Sequence, residues 1–148
     1  MLNADKALAI VLKASKPRSS ERVKLREALG RTLAEDIIAA EDIPPFDNSS
    51  MDGFAVRAAD LARASARRPV TLTVVGEASA GNVFGAKLRS GEAVRIMTGG
   101  KIPAGADSVV PIELVTMPDD RHARFESPVK RGANIRRAGE DIGKNTRA

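Results

Sequence analysis

The chain has 148 residues, 43% hydrophobic and 29% charged, a balance typical of a folded protein and not of a disordered one. It has no cysteine and one histidine, which excludes disulfides, cysteine nucleophiles and multi-histidine metal sites, so any metal ligands are mainly oxygens and favour Mg²⁺. The net charge of +5 is compatible with nucleic-acid binding, but only 3% of the residues are aromatic, so we expect no stacking platform for single strands.

The N-terminal residues predict an amphipathic helix. Asn3 is a plausible N-cap, and Lys16-Pro17 predicts the end of the helix. An apolar stripe at helical spacing follows the cap: Ala4, Ala7, Leu8, Val11 and Leu12. The apolar run is too short for a membrane span or a typical signal sequence, so we expect a cytoplasmic protein without membrane contact.

The next thirty residues predict little regular structure. A short helical turn is expected around Leu25–Leu29 and should stop at Gly30, a typical C′ residue. Leu33–Ala39 is expected to be extended. Pro44-Pro45 excludes helix and marks the entry into a different structure.

From Phe54 onward, short apolar runs separated by Gly and Pro predict strands. The candidates are Val70–Val74, Ala93–Met97, Ser108–Val115 and, after a turn at Pro118–Asp120, His122–Glu126. Pro111 lacks an N–H group and should place its strand at a sheet edge or a bulge. We therefore predict an α+β fold, with an N-terminal helical segment and a compact β barrel or sandwich.

The order of these elements predicts a discontinuous domain map. Residues 1–46 and 132–148 are expected to form one helical and extended subdomain, since the tail is too short to fold alone. Residues 47–131 are expected to form an inserted β subdomain. This is a two-subdomain arrangement in which the chain returns to where it began.

Charge is distributed asymmetrically along the chain. Residues 35–52 contain six acids and no base, and residues 130–148 contain six bases against Glu140 and Asp141. One interpretation is two solvated faces that pair with each other. The other is a site for an anionic ligand that also holds a cation.

Three polar, glycine-bearing segments interrupt the apolar pattern: Pro44–Val56, Gly91–Asp107 and Gly132–Gly143. Each could be an ordinary loop. Against this, the first holds two carboxylates and three other polar side chains. In the second, Gly100-Lys101 does not fit a phosphate loop, yet Thr98-Gly99-Gly100 could present backbone N–H groups to an anion. In the third, adjacent arginines precede two acids, a pattern that suits either a surface cluster or a phosphate clamp beside metal ligands.

Together the three segments resemble the molybdopterin molybdenumtransferases, the MoeA and gephyrin E-domain family. Asp47–Val56 resembles the family signature. Arg95–Gly99 with Pro103–Val110 is similar to a second block, and Asn134–Ile142 to a third. Leu25–Asp36 resembles the lead-in to the signature. The departures are mild: Ser50 stands where Ala is usual, Phe54 where Tyr is usual and Gly100 where Ala is common, and none removes a charge.

The resemblance implies a transfer reaction, in which molybdate is inserted into adenylylated molybdopterin with Mg²⁺-dependent release of AMP. It assigns catalytic roles to Asp52, Thr98 and Asp141, with Asp52 and Asp141 also handling the metal. It assigns substrate contacts to Asn48, Ser50, Gly99, Arg136 and Arg137. The family site lies between the protomers of a dimer, so a homodimer is expected.

The resemblance also implies that the chain is incomplete as a catalyst. Members of the family continue past the third block into a larger α/β domain, which carries most molybdate and pterin contacts, and a C-terminal β domain. This chain stops at Ala148, so we expect it to be inactive alone. The alternative is a non-catalytic binding or scaffold module of the gephyrin type.

Overall fold

The structure, a computed structural model, describes residues 3–16 and 19–148. The chain divides into two compact units, Met1–Asp36 and Ile37–Ala148. One α-helix lies in the first unit, and all eight strands of the described chain lie in the second. The predicted α+β class is confirmed at this level. Among the described residues, no helix has both the length and the apolar character that a bilayer crossing requires.

Helix α1, Ala4–Ala14, forms the regular part of the first unit. The Asn3 side chain accepts the Lys6 N–H at 2.9 Å, which confirms the predicted N-cap. The helix ends at Ala14, in agreement with the predicted end by Lys16-Pro17, and Ser15 already has extended backbone angles; Pro17 lies outside the described residues. No described residue of α1 is buried, and Leu8, Val11 and Leu12 are more than half exposed.

A 3-10 turn over Leu25–Glu27 follows in the same unit. It ends near the predicted place, and Gly30 has the positive φ of +79° expected after a helical turn. An ion pair joins Arg31 to Glu21 across the turn. The predicted extended segment Leu33–Ala39 forms no strand, although Ile38 makes an isolated bridge to Arg147.

The second unit contains a six-stranded mixed sheet in the order β5-β2-β4-β3-β7-β6. Its strands are β2 (Gly53–Val56), β3 (Val70–Ala78), β4 (Glu92–Ile96), β5 (Ser108–Pro111), β6 (Val115–Asp119) and β7 (His122–Phe125). Only β3 and β4 run parallel. A separate two-stranded ribbon pairs β1 (Asn48–Ser49) with β8 (Ile135–Arg136).

The six-stranded sheet is curled into a half-barrel, as its connectivity requires. Its two outer strands, β5 and β6, are consecutive in the chain and joined only by the 3-10 turn Ile112–Leu114. The outer strands of a flat six-stranded sheet would lie roughly 24 Å apart, whereas this connection spans at most roughly 14 Å. The sheet must therefore curl until its outer strands approach each other at this connection, which agrees with the barrel-like module predicted from the sequence.

Two apolar clusters cover the two faces of β2. Phe54 and Val56 point into the larger cluster, where Phe54 and Phe125 make an edge-to-face contact with ring centroids 6.2 Å apart. Ala55 points to the other face and packs with Val94 and Val109. Because both faces of β2 are buried, its sequence does not alternate between apolar and polar residues. These residues were not among the predicted strands.

The predicted strand Ser108–Val115 is wrong as a single element. The segment contains β5, the 3-10 turn at Ile112–Leu114 and the first residue of β6. Pro111 ends β5 at the sheet edge, as predicted, because it has no N–H group to extend a ladder. The Ile112 N–H instead donates to the Asp52 carbonyl at 3.0 Å. The predicted turn at Pro118–Asp120 is displaced too, since β6 continues to Asp119.

The C-terminal tail returns to the acidic segment. Isolated bridges pair Ile38 with Arg147 and Ile43 with Ile142, and the β1–β8 ribbon continues this pairing. The Lys144 N–H also donates to the Asp42 carboxylate at 2.7 Å. The acidic and basic segments therefore lie against each other. The discontinuous division into residues 1–46 with 132–148 and residues 47–131 stays a prediction.

Candidate functional site

The three polar segments meet at strand β1. On one side, Asn48 and Ser49 pair with Arg136 and Ile135 of the third segment. On the other side, the Ser49 N–H donates to the Gly100 carbonyl at 3.0 Å, and the Ser49 carbonyl accepts the Gly99 N–H at 2.9 Å. A short strand of two residues is thus held between parts of the chain that are distant in sequence. The convergence places the candidate residues in one region.

Asp52 and Thr98, two of the predicted catalytic residues, are in direct contact. Asp52 Oδ1 accepts the Thr98 hydroxyl at 2.6 Å and the Thr98 backbone N–H at 2.7 Å. These hydrogen bonds, the hydroxyl first, lower the pKa of Asp52 from its usual value, and Arg95 adds a favourable charge. Asp52 is therefore a carboxylate at neutral pH, and it is exposed.

The backbone of Thr98-Gly99-Gly100 does not form the anion cradle that the sequence allowed. Each of its N–H groups already donates within the chain: Thr98 to Asp52, Gly99 to Ser49 and Gly100 to Met97. The segment instead fastens the end of β4 to β1. Gly99 has a φ of +79°, which explains why glycine suits this position. Its predicted substrate contact stays a prediction.

The adjacent arginines of the third segment both bind carboxylates. Arg136 donates to Asp141 Oδ1 at 2.6 Å and to Oδ2 at 2.5 Å, and this hydrogen bonding raises the pKa of Arg136. Arg137 donates to Asp47 Oδ2 at 2.5 Å. All four side chains remain more than a third exposed, so a ligand in solution can compete for either arginine.

Asp47 belongs to the site although no sequence pattern assigned a role to it. Its Oδ1 accepts the Ala138 N–H at 2.9 Å. That backbone hydrogen bond is the main influence that lowers the pKa of Asp47; desolvation opposes it, and Arg137 adds to it. Asp47 stands in the segment that was singled out, opposite a cluster of bases in the tail, so the charge asymmetry was the available signal.

The other predicted substrate contacts are placed differently. Asn48 is 6% exposed, and its side-chain N–H donates to the Phe46 carbonyl at 3.1 Å. Its predicted substrate contact stays a prediction. Ser50 is partly exposed, and its backbone N–H donates to the Asn134 carbonyl at 3.1 Å. Asn134 itself has a positive φ of +57°, and its side chain donates to the Val109 carbonyl.

The predicted metal ligands, Asp52 and Asp141, differ in availability. In the described part of the chain, no three acidic or histidine side chains group as a metal site would require. Both Asp141 oxygens accept hydrogen bonds from Arg136, so Asp141 does not fit a metal in this arrangement. No hydrogen bond to Asp52 Oδ2 occurs within residues 3–16 and 19–148. Asp52 therefore fits the role of a single carboxylate ligand to a Mg²⁺ ion that is also bound by phosphates.

Comparison with known proteins identifies the family. Residues 2–148 match the family model described as MoeA N-terminal region (domain I and II). The chain belongs to this family. All three segments that carry the resemblance, including Arg95–Gly99 with Pro103–Val110, thus lie in a MoeA N-terminal region, as the resemblance implied.

Curated relatives support the assignment. The chain is 44% identical over 145 residues to the molybdopterin molybdenumtransferase of Haemophilus influenzae, covering 97% of this chain and 35% of the relative. It is also 44% identical over 145 residues to the Bacillus subtilis protein of the same name, covering 96% of this chain and 34% of that one. The chain thus spans about a third of the length of these relatives.

A solved structure shares the fold. The molybdopterin biosynthesis moeA protein from Pyrococcus horikoshii OT3 superposes with a TM-score of 0.82 and is 43% identical, over 86% of this chain and 33% of that one. A second structure of a moeA protein from Pyrococcus gives a TM-score of 0.76 over 97% of this chain and 36% of that one. The half-barrel is therefore a MoeA fold element.

Proposed function

We propose that the chain forms part of the substrate site of a molybdopterin molybdenumtransferase, an enzyme that inserts molybdate into adenylylated molybdopterin and releases AMP in the cytoplasm. The observation that carries the proposal is the convergence of the three polar segments at β1. Asp52, Thr98, Arg136 and Asp141 come from all three segments and lie on the loops and strand ends around it. The names of the curated relatives support the same reaction class.

The side chains divide into positive and negative groups with different tasks. Arg136 and Arg137 would bind the pyrophosphate of the adenylylated substrate in exchange for their present carboxylate partners, Asp141 and Asp47. Such an exchange is inexpensive, because exposed ion pairs contribute only about 0–1 kcal/mol. Ser50 and Gly99 would border the same ligand, and Asn48 would hold the loop in shape.

Asp52 would act from the side of β4. Thr98 holds one of its oxygens, which fixes the direction of the carboxylate and leaves the other oxygen for a ligand. Mg²⁺, when bound there, would neutralise charge on the pyrophosphate during its cleavage. Asp141 would join it once Arg136 has turned to the substrate.

We further propose that the chain acts with other parts of a larger protein and as a homodimer. It covers about a third of its relatives, so we expect no AMP release by the chain alone. The exposed stripe Leu8, Val11 and Leu12 supports a dimer contact. Light scattering at micromolar concentration should show the dimer, and a monomer at every concentration would contradict it.

The second candidate is a non-catalytic binding module of the gephyrin type. The observation in its favour is that Asp47 and Asp141 are already satisfied by arginines, so that the region could be purely structural. The two candidates differ in one respect. A structural network tolerates the loss of the Asp52 charge, whereas a substrate site does not.

A chimera tests the proposed function. This chain would replace the matching 145-residue segment of the Haemophilus influenzae relative, and AMP release would be measured with adenylylated molybdopterin, molybdate and Mg²⁺. We expect the chimera to release AMP and the chain alone to release none above background. A chimera that unfolds cooperatively but is inactive, beside an active parent, would support the binding module instead.

A further inference from the structure

A cleft with a volume of about 390 Å³ opens at the far end of strand β2 from Asp52. Arg57 follows β2 directly, and Asp107 precedes β5 directly, so the cleft lies where these paired strands end. Asp52 precedes the same strand by one residue. Five residue steps of extended chain separate Asp52 from Arg57 by roughly 16 Å. None of the residues that line the cleft belongs to the candidate site described above.

The charged groups of the cleft do not balance. Three cations line it, Arg57, Lys87 and Arg131, and Asp107 is its single carboxylate. Arg131 Nε lies 3.5 Å from Asp107 Oδ2. Within residues 3–16 and 19–148, neither of the other two cations forms an ion pair. Like charges gathered in a concave site raise the local potential and favour an anion.

The carboxylate of the cleft is fixed by the fold and cannot turn to neutralise the cations. Asp107 Oδ1 accepts the Ala58 N–H at 2.7 Å and the Ser108 hydroxyl at 3.2 Å. Its backbone N–H also donates to the Val56 carbonyl, and its carbonyl accepts the Gly132 N–H at 2.7 Å. Asp107 therefore ties β2 to β5 and to the loop before β8. Only its Oδ2 faces a cation.

The wall of the cleft is equally constrained. Gly105 has a φ of +91°, and a Cβ atom there would lie 2.5 Å from the Leu88 carbonyl oxygen and 3.3 Å from Lys87 Cγ. The Leu88 N–H donates to the Ala104 carbonyl at 2.8 Å. The aliphatic stem of Lys87 thus lies against a tightly packed loop, while its ammonium is exposed. A preformed, polar concavity of this size suits a small ligand.

We infer that this cleft binds a doubly charged tetrahedral oxyanion, either free or as the phosphate group of a small ester. The surplus of two positive charges matches such a dianion. The planar guanidinium groups of Arg57 and Arg131 suit paired phosphate oxygens, and the Lys87 ammonium supplies a point charge. The volume leaves room for an organic part beside the anion. The inference does not depend on the proposed transfer reaction.

Titration of the chain with inorganic phosphate, molybdate and a simple phosphate monoester tests it. Amide NMR should show saturable shifts at Leu88, Ala106 and Asp107 and none at Thr98. Tighter binding of molybdate would identify a free metal oxyanion as the ligand, and tighter binding of the monoester would identify a phosphorylated small molecule. Absence of saturable shifts around the cleft with all three probes would overturn the inference.

Two double variants separate the cleft from general surface charge. Lys87→Ala with Arg131→Ala should weaken phosphate binding by about tenfold or more, because hydrogen bonds to charged groups are lost. Arg63→Ala with Arg67→Ala removes the same charge at exposed positions outside the cleft and should leave the affinity unchanged. Equal weakening of phosphate binding in both double variants would mean that the positive charge of the whole surface, and not the cleft, attracts the anion. The NMR shifts of the unmodified chain decide the matter if a variant folds poorly.

Discussion

One oxygen of the Asp52 carboxylate accepts both the hydroxyl and the backbone N–H of Thr98, at 2.6 and 2.7 Å. The two residues stand 46 positions apart; Asp52 directly precedes β2, and Thr98 follows the end of β4 by two residues. The contact orients a charged group at the surface without burying it. It therefore joins two of the three polar segments and leaves a carboxylate oxygen facing outward.

Asp52→Asn in the chimera with the Haemophilus influenzae relative should reduce AMP release by at least about tenfold. The amide oxygen of asparagine can still accept both hydrogen bonds from Thr98, so the loop should keep its shape. What is lost is the charge that would face the metal and the pyrophosphate. Turnover under saturating substrate, together with the melting temperature, measures the two effects separately.

Asp119→Asn is the matched control for that variant. Asp119 is also an exposed carboxylate that accepts a backbone N–H, from Arg121, and contacts a side chain, that of His122. It lies at the end of β6, outside the candidate site. We expect unchanged AMP release. Full activity in both variants would mean that the Asp52 charge has no part in the reaction and that Asp52 is only a turn residue.

The ion pair between Asp47 and Arg137 should show a small, measurable coupling. A double-mutant cycle with Asp47→Asn and Arg137→Gln isolates the pair, and we expect about 0.5 kcal/mol of coupling in the free energy of unfolding, since both side chains are more than a third exposed. Urea denaturation gives the four stabilities. The coupling should shrink with added salt. A coupling above about 3 kcal/mol would indicate a buried pair and contradict the exposure seen here.

The lowered pKa of Asp47 predicts a pH dependence with a definite sign. Its folded-state pKa lies below the usual value of 3.8, so the unfolded chain binds a proton first as the pH falls. The contribution of Asp47 is therefore complete above about pH 5 and is lost progressively as the pH drops through its folded-state pKa. The free energy of unfolding, measured against pH, should fall less steeply below pH 3.8 in Asp47→Asn than in the unmodified chain. An identical slope in both proteins would mean that Asp47 does not contribute to the loss of stability in acid.

Gly53→Ala should destabilise the half-barrel by about 3 kcal/mol or more. A Cβ atom at Gly53 would lie 2.1 Å from the Val110 carbonyl oxygen, so β2 and β5 could not keep their pairing. Gly85→Ala is the control, because nothing lies within 4 Å of its Cβ position and its φ is not positive. It should change stability by no more than about 0.5 kcal/mol. Urea denaturation of both variants measures the difference.

Local patterns predicted the elements whose stability is decided nearby. The prediction of the N-cap at Asn3 is confirmed, because a cap depends on its immediate neighbours. The strands containing Val70–Val74 and Ala93–Ile96 were predicted from alternation, which β3 keeps along most of its length and β4 keeps where Arg95 is exposed between two buried residues. Strand β2 was not predicted, because all four of its residues are buried and its sequence therefore shows no alternation of apolar and polar residues.

Site composition was partly visible in the sequence, but its geometry was not. The motifs pointed to Asp52 and Thr98 separately. Nothing in either segment indicates that one oxygen of the Asp52 carboxylate accepts two hydrogen bonds from Thr98. Asp47 was passed over because its partners, Arg137 and Ala138, lie 90 and 91 positions away. The possible anion cradle at residues 98–100 does not form for a related reason, since the Ser49 carbonyl accepts one of its N–H groups.

The sequence by itself determined the class of the fold, the family and the segments that carry polar chemistry, because these depend on residue types in order along the chain. Tertiary structure decided which of those residues touch. Strand β1 is only two residues long and has no sequence signal of its own; it exists because Ser49 is hydrogen-bonded to the second segment on one side and paired with the third on the other. Pairings between distant segments depend on how the six-stranded sheet curls, and that curl is a property of the whole sheet and not of any one strand.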